Sequence, residues 1–300
     1  MVSCDWFKLM LSIPPQEPMT RAAVFVQWSS MVAYNLLGLT ILAVPQIWKG
    51  FLQLEFSGRT EGYFRLQAVA QFELGFLYII FARSKFDVPG GIPIRGPVLS
   101  KIVFVAGFMV PQCLSGSLPL AYTIFYLSLD TLIALCTFVI WYCETENASV
   151  IQLAKDMMRL MLSGLPRRKS SVVVVICGAI QVPVGLTFVI KPSYIHNLLE
   201  LDPFQGHAVG LLSAYFFVLF VHGTLSILGG TADGVSFNIA CAFYRLAIGI
   251  PLLIILAVTG QIEVYLSVFA ASLDLIFAVV ILISLWFEGK LETVSPGKYN

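Results

Sequence analysis

Eight stretches of this chain are apolar over close to the length that crosses a membrane. They lie at about residues 24–44, 66–82, 100–115, 119–142, 171–190, 208–228, 238–259 and 262–287. A helix needs about 20 mostly apolar residues to span the hydrocarbon core. Inside that core each backbone N–H and C=O must be satisfied internally, which leaves helices or closed barrels. The runs are continuous and do not alternate with a period of two, so a barrel is disfavoured. The expected fold is all-α: a polytopic membrane protein with eight transmembrane helices. Pro111 and Gly116 make the third run the least regular. Composition agrees, with 58% of the 300 residues hydrophobic and 12% charged, where a soluble domain has about 25% charged. A net charge of +1 offers no basic face for nucleic acid. The expected surroundings are the lipid bilayer.

Loop charges give an orientation. Lys8, Arg21, Arg83, Lys155, Arg167, Arg168, Lys169 and Arg245 are among the cations on the side of the N-terminus, while the other side has Lys49, Arg59, Arg65 and Lys191. By the positive-inside rule both termini are cytoplasmic. An endoplasmic-reticulum location is compatible with this. The sequon Asn147-Ala148-Ser149 then lies on the cytoplasmic side, away from glycosylation. The segment Met1 to Arg21 has no signal-peptide pattern. The six cysteines are scattered without a CxxC, and read as free thiols.

The chain also repeats itself. Ser128-Leu129-Asp130 recurs as Ser272-Leu273-Asp274, 144 residues later. Gly62, Ala70, Phe72, Lys101, Phe125 and Ala134 match Gly206, Ala214, Phe216, Arg245, Phe269 and Ala278 at the same offset. Gly38-Leu39-Thr40 with Pro45 matches Gly185-Leu186-Thr187 with Pro192 at an offset of 147. The order is kept, which predicts two four-helix repeats. An even number of spans per repeat puts both the same way up, related by an axis along the membrane normal. The expected divisions are 1–142 for the N-terminal segment and first repeat, 143–170 for a cytoplasmic linker, and 171–300 for the second repeat and C-terminal tail. Within the linker, 150–161 is amphipathic and suits the membrane interface, with Arg167-Arg168-Lys169 near anionic headgroups. An ordinary connector is the simpler account of it.

The recurring Gly-Leu-Thr…Pro unit, the phrase Arg59-Thr60-Glu61-Gly62-Tyr63-Phe64-Arg65, the cation at Lys101 or Arg245 and the acid at Asp130 or Asp274 resemble the small four-helix membrane unit of DoxX-like proteins. This covers nearly the whole chain, twice over, with loose motifs. The functions of that family are too varied for a mechanism to follow. In size, helix content and acid placement the chain also resembles the integral-membrane terpene cyclases of fungal meroterpenoid pathways, which use buried carboxylates as acids.

The ionisable groups near helix interiors are Glu73, Asp130, His222 and Asp274. Each mid-depth acid costs roughly 2.5–3.5 kcal/mol to insert, so its retention calls for a reason. A carboxyl kept neutral in apolar surroundings is a proton donor. Beside aromatic faces that stabilise a developing cation, it suits protonation of an olefin or epoxide. These four are the candidate catalytic residues. Tyr122, Tyr126 and Asp130 share one helix face at i, i+4 and i+8, and Phe269 and Phe277 lie near Asp274. These four aromatics are the candidate substrate-binding residues. Glu73 and His222 stand where the copies disagree, opposite Phe217 and Tyr78, as an off-centre site would require. Glu73 either stays a buried acid or pairs with Arg65. The plainest alternative for the aspartates is pairing with Lys101 and Arg245 within each bundle, fixing helix register. No metal or nucleotide motif is present, so no cofactor is expected.

Three functions compete on this reading. The first is an integral-membrane enzyme that cyclises or isomerises a lipophilic, terpenoid-type small molecule, with that molecule as its partner. The second is a small proton-coupled transporter. The third is a non-catalytic membrane scaffold.

Overall fold

Proline placement sets the first breaks in the chain. Pro45 and Pro192 lack an N–H and push the preceding residue out of helical geometry. Val44 and Lys191 accordingly sit at φ −137° and −132°. Each ends a long helix and starts a short one. The computed structural model describes residues 19–83, 100–146, 148–162, 166–232 and 235–294. The N-terminal segment before residue 19, Cys4 and the sequon residue Asn147 lie outside the described residues.

Helix α1 is Arg21–Ala43, opened by Thr20, whose Oγ1 accepts the Ala23 N–H at 3.1 Å. It is followed by α2 (Pro45–Phe51) and α3 (Thr60–Arg83). A π-helical turn, Ser100–Phe104, leads into α4 (Val105–Leu114). Next come α5 (Leu120–Glu144) and α6 (Val150–Leu162), then α7 (Lys169–Ile190), α8 (Pro192–Leu199) and α9 (Ala208–Thr231). The last two are α10 (Val235–Val258) and α11 (Val264–Val294).

Among the described residues seven helices are long and apolar enough to cross a membrane: α1, α3, α5, α7, α9, α10 and α11. The described residues are thus all-helical, and the chain is a multi-pass membrane protein. Eight such spans were expected. The third is represented among the described residues by the Ser100–Phe104 turn and the ten residues of α4, stopped where Gly116 takes a φ of +73°. Between the end of α5 at Glu144 and the start of α7 at Lys169 lies α6, within the stretch expected as a linker.

The most buried of the long helices among the described residues are α3 and α9. Their apolar windows are 78% and 83% buried, against 33% for α5, α7 and α11. Gly178 of α7 and Gly223 of α9 face each other. A Cβ on Gly223 would stand 2.9 Å from the Gly178 carbonyl oxygen. Small residues permit this backbone approach, which replaces the hydrophobic drive that helices in lipid lack.

Several local features fall at the spacings of the sequence repeat. Gln53 and Glu200, 147 apart, both take positive φ (55° and 50°), and each delivers a buried leucine, Leu54 or Leu201, to the core. Gly116 and Gly260, 144 apart, both take positive φ at the turn after a long or apolar helix. The ends of the two halves also interlock. Gly62 packs on the Gln261 backbone, and Gly210 packs on the Ser117 backbone. Around this contact the Tyr63 hydroxyl donates to Glu263 at 2.8 Å, and Thr60 donates to the Gln205 carbonyl at 3.0 Å. Arg59 binds Asp202 at 2.7 Å, a hydrogen bond that raises its already high pKa. That pair is partly solvated and contributes little to stability, about 0.2–1 kcal/mol.

Candidate functional site

Three π-helical turns position the polar groups of the interior. Tyr34 lies in Met31–Leu36, Lys101 in Ser100–Phe104 and Arg245 in Arg245–Gly249. Such turns widen the helix locally and concentrate at functional sites. The third has a visible cause in sequence. Pro251 has no N–H, so the carbonyl of Ala247 loses its ordinary i+4 donor. The result is two polar groups, one in each half.

The first group is balanced. Lys101 Nζ stands 4.0 Å from Asp130 Oδ1, and the Tyr34 hydroxyl donates to the same carboxylate. The ammonium lies over the rings of Tyr34 and Tyr78, at 4.2 and 4.8 Å. Tyr126 donates to Gln71 Oε1 at 3.0 Å, and Gln71 donates to the Ala33 carbonyl at 3.1 Å. Asp130, Lys101, Gln67 and Gln71 border a cavity of about 40 Å³. That is room for on the order of three waters. Gln67 Oε1 faces no protein donor among the described residues. Tyr122 is buried against Tyr126, with ring centroids 4.7 Å apart, and does not border the cavity.

The second group carries one acid in excess. Arg245, 1% exposed, binds Asp274 Oδ1 and donates to Gln181 Oε1 at 3.1 Å. Its guanidinium lies 4.9 Å over Tyr244 and 5.2 Å over Phe277. Glu73 crosses from the first half to join it. A Cβ on Gly249 would meet Glu73 Oε1, and would stand 3.1 Å from Asp274 Oδ2, so both carboxyls face this one glycine. His222 Nδ1 is 3.8 Å from Glu73 Oε2, while its Nε2 has no protein partner among the described residues. Two ionised carboxyls and one guanidinium leave a charge of −1 when the imidazole is neutral. Burying an uncompensated ion costs several kcal/mol. The group is neutral when one proton is shared by the Glu73–Asp274 pair.

Beside Asp274 is a pocket of about 20 Å³, walled by Tyr215, Phe216, Phe269, Leu273 and Phe277. The Asp274 side chain is 13% exposed.

Of the four candidate catalytic residues, Glu73, His222 and Asp274 therefore meet, and Asp130 stands apart with Lys101. Tyr122 and Tyr126 accompany Asp130, whereas Phe269 and Phe277 accompany Asp274. Glu73 does not pair with Arg65, which instead binds Glu61 at 2.8 Å one helical turn away. Sequence reasoning missed Tyr34 and Gln181, the partners of the two acid–cation pairs. They are 147 apart, the spacing of Gly38 and Gly185 on the same helices, so the repeat itself held the signal. It also missed Gly249, whose lack of a side chain admits the Glu73 carboxyl. Among the described residues no set of three His, Cys, Asp or Glu side chains is placed to hold a metal ion.

Fold and site together define a helical, multi-pass membrane protein with a buried carboxyl–guanidinium cluster. Comparison with known protein families, characterised proteins and solved structures gives no match.

Proposed function

We propose that this chain is an integral-membrane enzyme that cyclises or isomerises a lipophilic, olefinic substrate of the terpenoid kind, using a proton held by Glu73 and Asp274. The observation that carries the reading is the surplus acid: Glu73 leaves its own half to share Gly249 with Asp274 beside a single guanidinium. A register-fixing pair needs no second carboxyl, as Lys101 and Asp130 illustrate. We assign that first pair, with Tyr34, to packing.

The chemistry closes without a co-reactant. The carboxyl O–H breaks as its proton goes to an alkene carbon, and the π electrons form the new C–H bond. The cation left on the neighbouring carbon is stabilised by the faces of Tyr215, Phe269 and Phe277. A second alkene or a phenol oxygen supplies electrons to close the ring. The final proton returns to the carboxylate pair or to His222 Nε2, and the product is an isomer. The duplicated four-helix unit supports this arrangement, because two halves in one orientation bring unlike residues to a shared centre. In this reading the stretch Ser100–Leu114 makes an eighth crossing, and both termini lie on the cytoplasmic side, on the strength of the loop cations.

Membranes holding the protein, incubated with a farnesylated phenol in deuterated buffer, are expected to yield an isomer carrying one carbon-bound deuterium. No isomer, together with uptake of the probe into sealed vesicles that follows a proton gradient, would overturn the enzyme reading in favour of a carrier.

A further inference from the structure

The spacing of 144 residues sets one polar group beside the other for comparison. In the second group Glu73 crosses from α3, and its carboxyl takes the room left by Gly249. The positions 144 away from Glu73 and Gly249 are Phe217 and Val105. Both border the cavity of about 40 Å³ beside Asp130 and Lys101. Phe217 therefore crosses from α9 as Glu73 crosses from α3, but brings a ring in place of a carboxyl. That ring is stacked on Phe108, with centroids 4.5 Å apart, and forms a flat wall. The first group thus has the acid and the cation of the second without its surplus carboxyl.

The polar atoms around this cavity have bonding capacity to spare. Lys101 is 2% exposed and Gln67 is 3% exposed. The 4.0 Å from Lys101 Nζ to Asp130 Oδ1 is too long for a hydrogen bond, so the ammonium keeps N–H donors for another partner. Gln67 Oε1 meets no donor from the described residues. Buried polar atoms of this kind call for a partner. The group that fits must accept from an ammonium and donate to a carboxamide oxygen. It must also bring no net charge, because Lys101 and Asp130 already cancel and an added ion would be buried unpaired. A carboxyl that keeps its proton meets all three conditions. Its C=O accepts from Lys101, and its O–H donates to Gln67. The room is that of on the order of three waters, enough for a carboxyl and the first carbons of its chain. Leu74, Val105 and Met109 give those carbons apolar walls.

We propose that the first group is a binding site for the protonated carboxyl of a monocarboxylic acid, which does there what Glu73 does in the second group. Lys101 and Asp130 keep their packing role, and the acid is their third partner. The site goes beyond the reaction proposed above, and stands whether or not the Glu73–Asp274 cluster turns over a substrate.

The test uses the full chain in nanodiscs, infrared difference spectra, and acetic acid carrying ¹³C in its carboxyl. The isotope separates the ligand's band from those of the protein. At about pH 5, close to the carboxyl range, a band of a protonated, labelled carboxyl is expected to rise and saturate at one acid per chain. Empty nanodiscs should give only a linear background. Gln67→Leu keeps much of the side-chain volume without the acceptor, and should weaken saturation about tenfold. Phe217→Glu puts a carboxyl where the second group has one, and should abolish the saturable band. Gln67→Leu decides the matter alone if Phe217→Glu does not fold. Dodecanoic acid separates two sources of the same chemistry: displacement of the labelled acetic acid assigns the site to the head of a fatty acid, and no displacement assigns it to a free short-chain acid. A band that rises only as it does in empty nanodiscs would overturn the proposal, as would saturation unchanged in Gln67→Leu.

Discussion

Arg245→Met is expected to lower stability by about 3–5 kcal/mol, the usual cost of leaving a buried ion without its partner. The guanidinium is the only cation bound to Asp274 among the described residues, and it also holds Gln181 of α7 to α10. Its loss leaves two carboxyls around Gly249 with no counter-charge. Adding Asp274→Asn to the same chain removes the stranded charge and should recover most of the loss, since a neutral buried set of similar volume is tolerated. A thiol-reactive dye reports unfolding here, because Cys177 and Cys241 are buried in the folded chain. The single variant should unfold about 10 °C or more below the parent. A double variant as unstable as the single one would show that Asp274 and Arg245 are not coupled.

Glu73→Gln has the largest expected effect on activity. The amide matches the carboxyl in shape, and Glu73 makes no ion pair with Arg245 that the change would break. Packing against Gly249 and His222 is kept, and the surplus acid is lost. General-acid catalysis contributes roughly 10²–10⁴-fold, so conversion of the farnesylated phenol should fall by that factor. The unfolding temperature should stay near that of the parent. Asp130→Asn, in the balanced group of the other half, should leave turnover within a few-fold while loosening the Tyr34–Lys101 contacts. Equal loss in both variants would mean that the two groups act together, against the assignment of Asp130 to packing.

Much of the fold was legible because a bilayer imposes long, continuous apolar runs. The breaks were legible where proline or glycine forces them, as at Pro45, Pro192 and Gly116. The third span was not, since apolar composition alone does not say where a helix stops. The pairing of each aspartate with the cation 29 residues before it was foreseen as an alternative to catalysis, and the geometry has it in both halves. The choice of Glu73 between Arg65 and a buried fate was not legible. Arg65 and Glu73 share a helix face, and only the approach of α10 through Gly249 gives the carboxyl somewhere to go. The π-helical turns at Tyr34 and Lys101 were likewise hidden, because an extra residue leaves no mark in a run that is apolar all round, whereas the one at Arg245 had its cause in Pro251.

The central claim is that Glu73 and Asp274 hold a buried proton between them. Infrared spectroscopy of the protein in lipid, comparing the parent with Glu73→Gln and Asp130→Asn, tests it most directly. The prediction is a stretching band of a protonated carboxyl in the parent, absent in Glu73→Gln and retained in Asp130→Asn. A band that survives Glu73→Gln and disappears in Asp130→Asn would contradict the account, placing the proton in the other half.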